Sequence, residues 1–170
     1  MTRVLALAAC VLSAAAPRLD RRVVDVVEVG NVRSEATHGY AGHEVSTGVV
    51  DGKPFRQSRG WMHYTLTTFD DTEVTIACTF VGVDSDSRDV PRTFDLVVED
   101  STIATRTVMA PAIGPVVVEI NVPFAVTKGK TNIVVIIRAR GGLTPALREL
   151  RTIQDHHEVD RSLNLFGVSR

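Results

Sequence analysis

Thr93-Phe94-Asp95-Leu96-Val97-Val98-Glu99-Asp100-Ser101-Thr102-Ile103-Ala104-Thr105-Arg106-Thr107-Val108 is the stretch that decides the fold. Phe94, Leu96 and Val98 fall on one face of an extended chain, Asp100-Ser101 supplies a tight turn, and Ile103 to Val108 returns, which predicts a β-hairpin. Downstream, Pro111 to Pro115 breaks the chain and Val116 to Val122 reads as a further strand. Pro123 opens one short helical turn that Gly129 can end. Thr131 to Ala139, with Ile133-Val134-Val135-Ile136-Ile137 at its centre, is apolar in both phases and belongs in the middle of a sheet, covered on both sides. Leu147 to Asp155 is the last strand. Upstream, Val23 to Val29 is the first strand, ended by Gly30-Asn31. Trp61 to Thr67 and Glu73 to Val81 alternate as an antiparallel pair joined at Asp70-Asp71. Between them, Ser34 to Gly60 carries Gly39, Gly42, Gly48, Gly52 and Pro54, which predicts a loop-rich segment with one short strand near Val45 to Val50. About eight strands with minimal helix define an all-β class: a two-sheet antiparallel β-sandwich of jelly-roll type.

Composition agrees. Val, Thr and Ile number 27, 17 and 8 of 170 residues, and β-branched side chains suit a pleated, half-buried surface. The formal charge of −1 leaves no excess of cations to neutralise a phosphate backbone, which argues against nucleic acid as a partner. The cations themselves are sixteen Arg to three Lys, and guanidinium forks suit planar, bidentate partners. Arg3 followed by the apolar run Val4 to Ala16, ending in Ala14-Ala15-Ala16, matches a secretory signal peptide over residues 1–16. Its thirteen residues, apolar except for Ser13, fall short of the ~20 residues of a membrane span. The organisation expected is therefore a leader, a sandwich domain over 17–160 and a tail over 161–170, in a secreted or envelope protein. The alternative is a remnant helix at 1–16 in a cytoplasmic one. With Cys10 in the leader, Cys78 stands alone in the mature chain, on the apolar face of Val74, Ile76 and Phe80, as a buried small hydrophobe.

No catalytic constellation stands out, and no G-x-S-x-G is present. Two segments raise a metal reading. In Asp155-His156-His157-Glu158, the adjacent His156 and His157 point to opposite faces of an extended chain whereas His156 and Glu158 share one, and no third ligand follows at helical spacing. A hydrolase in its own right, the remote alternative, would use this His156 and Glu158 region. Asp84, Asp86 and Asp89 resemble the start of a calcium loop, but Asp89 and Asp95 stand where an EF-hand needs glycine and glutamate. No cofactor is expected, with calcium at these aspartates the sole candidate.

His38, His43 and Glu44, followed by Arg56, Arg59 and Trp61, gather aromatic, imidazole and guanidinium groups near glycines. Carbohydrate surfaces are built from such groups, an aromatic face meeting the ring C–H groups and charged planar groups meeting the hydroxyls. A competing reading makes Trp61, the only tryptophan, a core anchor and pairs Arg56 and Arg59 with Asp or Glu.

The order Asp25-Val26-Val27, Ser34-Glu35 to His38, Gly42-His43-Glu44, Thr47-Gly48, Phe55-Arg56 and Gly60-Trp61-Met62-His63-Tyr64 resembles the C-terminal β-sandwich of bacterial β-L-arabinofuranosidase-type glycoside hydrolases. The resemblance continues through Phe94 to Asp100, Ile103-Ala104 and Val122-Pro123 to Lys128-Gly129-Lys130, over Val23 to about Ile153. In those enzymes the catalytic residues sit in an (α/α) barrel ahead of this region. The resemblance thus implies a non-catalytic, galactose-binding-like accessory module. Its partner would be a carbohydrate or a glycoside hydrolase catalytic domain. A structural variant of the same expectation is a domain that docks on a catalytic partner or self-associates. Gly39 and Phe55 depart from the Asn and Trp usual in the family, both in the segment nominated for ligand contact.

Overall fold

The decisive hairpin forms as β5 (Arg92–Val98) and β6 (Ser101–Val108), in a computed structural model that describes residues 20–83, 90–109 and 114–156. Its turn falls one residue earlier than the sequence suggests. Glu99 and Asp100 both adopt positive φ, +48° and +64°, as a two-residue hairpin turn of the primed kind requires. Glu99 is held there by its own carboxylate, which accepts from Val134 N at 2.8 Å and Lys130 Nζ at 2.6 Å.

The remaining strands are β1 (Asp20–Glu28), β2 (Ala41–Val50), β3 (Lys53–Thr67), β4 (Val74–Val81), β7 (Val116–Val122), β8 (Asn132–Ala139) and β9 (Ala146–His156). Two short helices, α1 (Val32–Thr37) and α2 (Phe124–Thr127), complete the described chain. All pairings are antiparallel, and the nine strands form one hydrogen-bonded sheet that folds on itself into the two layers of a sandwich. One runs β6-β5-β8-β3-β2 and the other β1-β9-β4-β7, joined where β3 touches β9 at Arg56 and Leu147. The sandwich expectation holds, with nine strands rather than eight.

Alternation fills the space between the sheets. Met62, Tyr64 and Leu66 of β3, Phe94, Leu96 and Val98 of β5, and Ile133, Val135 and Ile137 of β8 face Val74, Ile76, Cys78 and Phe80 of β4 and Leu147 and Leu150 of β9. The Phe80 and Phe94 rings meet at 5.1 Å between centroids. Each such side chain contributes roughly 1.5–3 kcal/mol by leaving water. Cys78 is the small hydrophobe expected, and burial pushes its thiol up to about 12. β8 lies mid-sheet as expected, but only one of its faces is fully covered, since Val134 and Ile136 remain partly exposed.

Two expectations are corrected. Trp61–Thr67 and Glu73–Val81 do not pair: the first half of that couple lies in β3 beside β8, and β4 lies in the facing sheet between β9 and β7. Alternation defines each strand's faces but not its neighbour. Ser34 to Gly60 is not loop-rich either; it holds α1 and the long β2–β3 hairpin. The glycines misled because most of them make room rather than turns. A Cβ on Gly48 would fall inside the ring of Phe55, its cross-strand partner, and the actual turn is Asp51-Gly52, both at positive φ.

Candidate functional site

The segment from Glu35 to Tyr64 splits into two environments, one closed and one open. The closed one begins with α1, which Asn31 caps by accepting from Arg33 N and Ser34 N. It ends where Tyr40 N donates to Glu35 O at 3.0 Å and Gly39 takes φ +57°. Glu35, 4% exposed, accepts from Arg56 Nε and Nη2, both at 2.6 Å, and from Gly30 N at 2.8 Å. Arg56 stacks over the Tyr40 ring at 4.5 Å, and Tyr40 packs on Tyr64 at 5.2 Å. Burial pushes the Tyr64 hydroxyl's pKa far up, and that hydroxyl has no hydrogen-bond partner among the described residues. Arg56 is therefore spent on an internal fork, as the competing sequence reading had it.

His38 is also turned inward. Its Nδ1 lies 2.6 Å from Ser34 O and its Nε2 3.1 Å from Asp25 Oδ1, which ties α1 to β1. Asp25 additionally accepts from Thr67 N at 2.7 Å and Val26 N at 2.8 Å. Burial alone would raise the Asp25 carboxyl, but the Thr67 N–H, His38 and the Val26 N–H outweigh it and hold the group below the usual carboxylate value. A depressed pKa in the folded state stabilises the fold above the unfolded value of ~3.9, and that stabilisation is lost as pH falls through the folded value. Asp25→Asn is accordingly expected to flatten the acid limb of the stability curve. Urea midpoints measured from pH 6 down to pH 2 should converge on the parent's at the acid end, and parallel curves would refute the assignment.

The open environment is the outer face of the five-stranded sheet. In antiparallel pairs, directly opposed residues share a face. Trp61 of β3 opposes His43 of β2 on one side and Arg138 of β8 on the other; Arg138 opposes Asp95 of β5, and Asp95 opposes Thr105 of β6. One row thus crosses all five strands. Trp61 is 37% exposed, so it is not the core anchor that large aromatics usually provide; Met62 and Tyr64 fill the core beside it. His43 and Arg138 are exposed as well, while Asp95 is nearly buried under the Thr105 hydroxyl and Arg140.

A break in register sets this row. Between the His43–Trp61 and Val45–Ser58 pairs, β2 has one residue, Glu44 at φ +52°, and β3 has two, Arg59 and Gly60. Gln57 before the break is buried, yet Trp61, in the same two-residue phase, lies outside. Ser58 Oγ fixes the bulge, donating to His43 O at 2.7 Å and accepting from Gly60 N at 2.8 Å. A Cβ on Gly60 would stand 2.9 Å from His43 O, so only glycine permits this approach. Glu44 and Arg59 project from the bulge into solvent.

Of the six side chains nominated from sequence, His43 and Trp61 are directly opposed on the open face, Glu44 and Arg59 are exposed on the bulge beside them, and His38 and Arg56 belong to the closed cluster. Arg138 and Arg140 escaped notice, although both follow the outward phase of the Ile133, Val135, Ile137 alternation. Asp84, Asp86, Asp89 and Glu158 lie outside the described residues, and of His156 only the backbone is described. Among the described residues no three or more His, Cys, Asp or Glu side chains gather to hold a metal ion, and no helix is long and apolar enough to cross a membrane.

The two sheets, their antiparallel pairing and the near absence of helix define a β-sandwich of the architecture shared by carbohydrate-binding modules. A family 35 carbohydrate-binding module from an environmental isolate superposes with a TM-score of 0.57 over 77% of this chain and 96% of its own, at 15% identity. Another from Clostridium thermocellum gives 0.52 over 78% and 97%, at 7% identity. The family 36 module in complex with calcium and xylotriose gives 0.51 over 75% and 98%, at 12% identity. At such identities the likeness is one of fold. Residues 18–153 match the family of unknown function DUF6805, and the chain belongs to that family. No curated protein matches it.

Proposed function

We propose that this chain is a non-catalytic carbohydrate-binding module that holds a glycan across the outer face of its five-stranded sheet. The observation that carries the reading is the Trp61 ring, exposed between His43 and Arg138 on an open strand row. An aromatic face offers the sugar C–H groups a dry contact, while imidazole and guanidinium groups on either side donate to hydroxyls. Glu44, on the bulge, supplies an acceptor at the same edge. The sandwich fold of the modules described above supports this reading. The resemblance to arabinofuranosidase accessory regions further supports a secreted domain, residues 17–160 after a leader, that serves a glycoside hydrolase. Calcium held by Asp84, Asp86 and Asp89 is the one metal that the reading accommodates.

Affinity electrophoresis in gels containing arabinan, galactan, xylan or pectin, with calcium present and chelated, tests the proposal. Trp61→Ala is expected to weaken retention at least about tenfold, the equivalent of ~1.4 kcal/mol, while thermal unfolding stays close to the parent's because the side chain lies outside the core. Retention on no glycan would overturn the reading and favour a docking domain instead.

A further inference from the structure

Beside the Trp61 row, at its Arg59 edge, lies a cleft of about 370 Å³ whose walls include Arg59, Arg92, Thr93, Arg140, Gly141 and Gly142. Three guanidinium groups thus border one cleft in a chain whose net charge is −1. Among the described residues, no hydrogen bond or ion pair engages the Arg59 side chain. Among the same residues, Arg92 makes one long bond, from Nη1 to Thr144 O at 3.4 Å. Arg140 Nε stands 3.5 Å from Asp95 Oδ2, and the Arg140 side chain is 62% exposed. Asp95 is the only carboxylate paired with any of the three among the described residues, so three cations less one anion leave an excess of two.

The backbone is shaped to match. Gly141 and Gly142 take φ +78° and +154°, and a Cβ built on either would meet nothing within 4 Å, so one wall of the cleft is bare main chain beside open space. Arg140 N donates to Thr93 O at 3.1 Å, which fixes the point where β8 leaves the sheet. The cleft is continuous in sequence with the row: Arg59 precedes Trp61 by two residues, and Arg140 follows Arg138, the cross-strand neighbour of Trp61, by two.

We infer that this cleft receives the carboxylate of a uronic-acid residue, so that the glycan bound on the Trp61 face is an acidic polysaccharide. The inference rests on the carbohydrate-binding reading and deepens it. Guanidinium forks pair with planar carboxylates through two parallel N–H···O bonds, and three forks around one opening are placed for that. A uronate would offer these forks the planar carboxylate that a neutral sugar lacks.

The test compares the intact chain on polygalacturonate and glucuronoxylan with the same polymers after carboxyl reduction, and on a sulfated neutral galactan. The proteins are the parent, Trp61→Ala and the double variant Arg92→Gln/Arg140→Gln, which leaves Arg59 of the sugar face in place. The parent is expected to bind an acidic polymer at least about tenfold more tightly than its reduced form, with the preference shrinking as salt is raised. The double variant should lose that preference while keeping the weaker binding of the reduced polymer, and Trp61→Ala should weaken both. Equal binding of native and reduced polymers would overturn the uronate cleft and leave the carbohydrate reading standing. So would binding of the sulfated galactan without the uronates, or a charge preference that survives in the double variant. Binding of none of the polymers would overturn both.

Discussion

Glu35→Ala is expected to destabilise the fold by about 3–5 kcal/mol, the range for breaking a buried ion pair by removing one partner. The side chain is 4% exposed, and it alone satisfies the Arg56 fork and the Gly30 N–H. Truncation would leave the Arg56 guanidinium against the Tyr40 ring with no counter-charge, and would remove the ion pair that ties α1 to β3. Urea unfolding at pH 7 should show a lowered midpoint with little change in slope. The comparison with Arg56→Met decides the cause. If the cost comes from the orphaned charge, the double variant will be less destabilised than the sum of the single ones, because replacing both partners by apolar groups removes the desolvation penalty too. A single-variant loss under 1 kcal/mol, or strict additivity, would refute the assignment. The same variant bears on function: any Glu35→Ala protein still folded at low temperature should retain glycan binding, since the closed cluster scaffolds the open face without belonging to it.

What the sequence disclosed and what it hid follow from the range of the interactions involved. The β5–β6 hairpin, β7, α2 and β9 are written in local alternation and turn residues, and they stand within a residue or two of where the pattern puts them. The partnership of β4 with β7 and β9 depends on which apolar faces meet across the sandwich, and no spacing along the chain encodes that. Helix α1 did leave a signal, Asn31 at its start and Gly39 after its end, but six residues are too few for an apolar period to show. The fate of Arg56 was undecidable locally, because its partner lies 21 residues away on a different element. Trp61 was half legible. Its alternation with Met62, Tyr64 and Leu66 separated it from the core face, whereas the bulge at Arg59-Gly60, which inverts the phase from Gln57, could not be read from residue types alone. Arg138 is legible from the phase of β8 and Arg140 continues that phase one residue past its end, but a strand apolar in both phases reads as covered on both faces and hides them.

Gln154→Ala should cost about 2–4 kcal/mol, since unsatisfied buried polar groups cost ~1–3 kcal/mol each and the truncation adds a cavity. Gln154 is 2% exposed on β9, where its Oε1 accepts from Phe69 N at 2.6 Å. Its Nε2 donates to Phe69 O at 2.9 Å and to Thr72 Oγ1 at 2.9 Å, with Thr72 O at 3.3 Å. One amide thus satisfies the backbone of the turn that carries the chain from β3 in one sheet to β4 in the other. Without it, amide exchange at Phe69 should accelerate well beyond the change in global stability, because the turn loses its anchor before the sheets part. Gln154→Glu separates polarity from shape. Burial would raise the introduced carboxyl's pKa above the unfolded ~4.3, so this variant should lie closest to the parent near pH 4 and lose stability as pH rises toward 7. A Gln154→Glu protein equally stable at both values would mean that water reaches the site and that the amide is not the anchor of the turn. Because the turn lies at the end of β3 remote from Arg59, neither substitution should alter retention on a glycan gel at temperatures where the protein is folded.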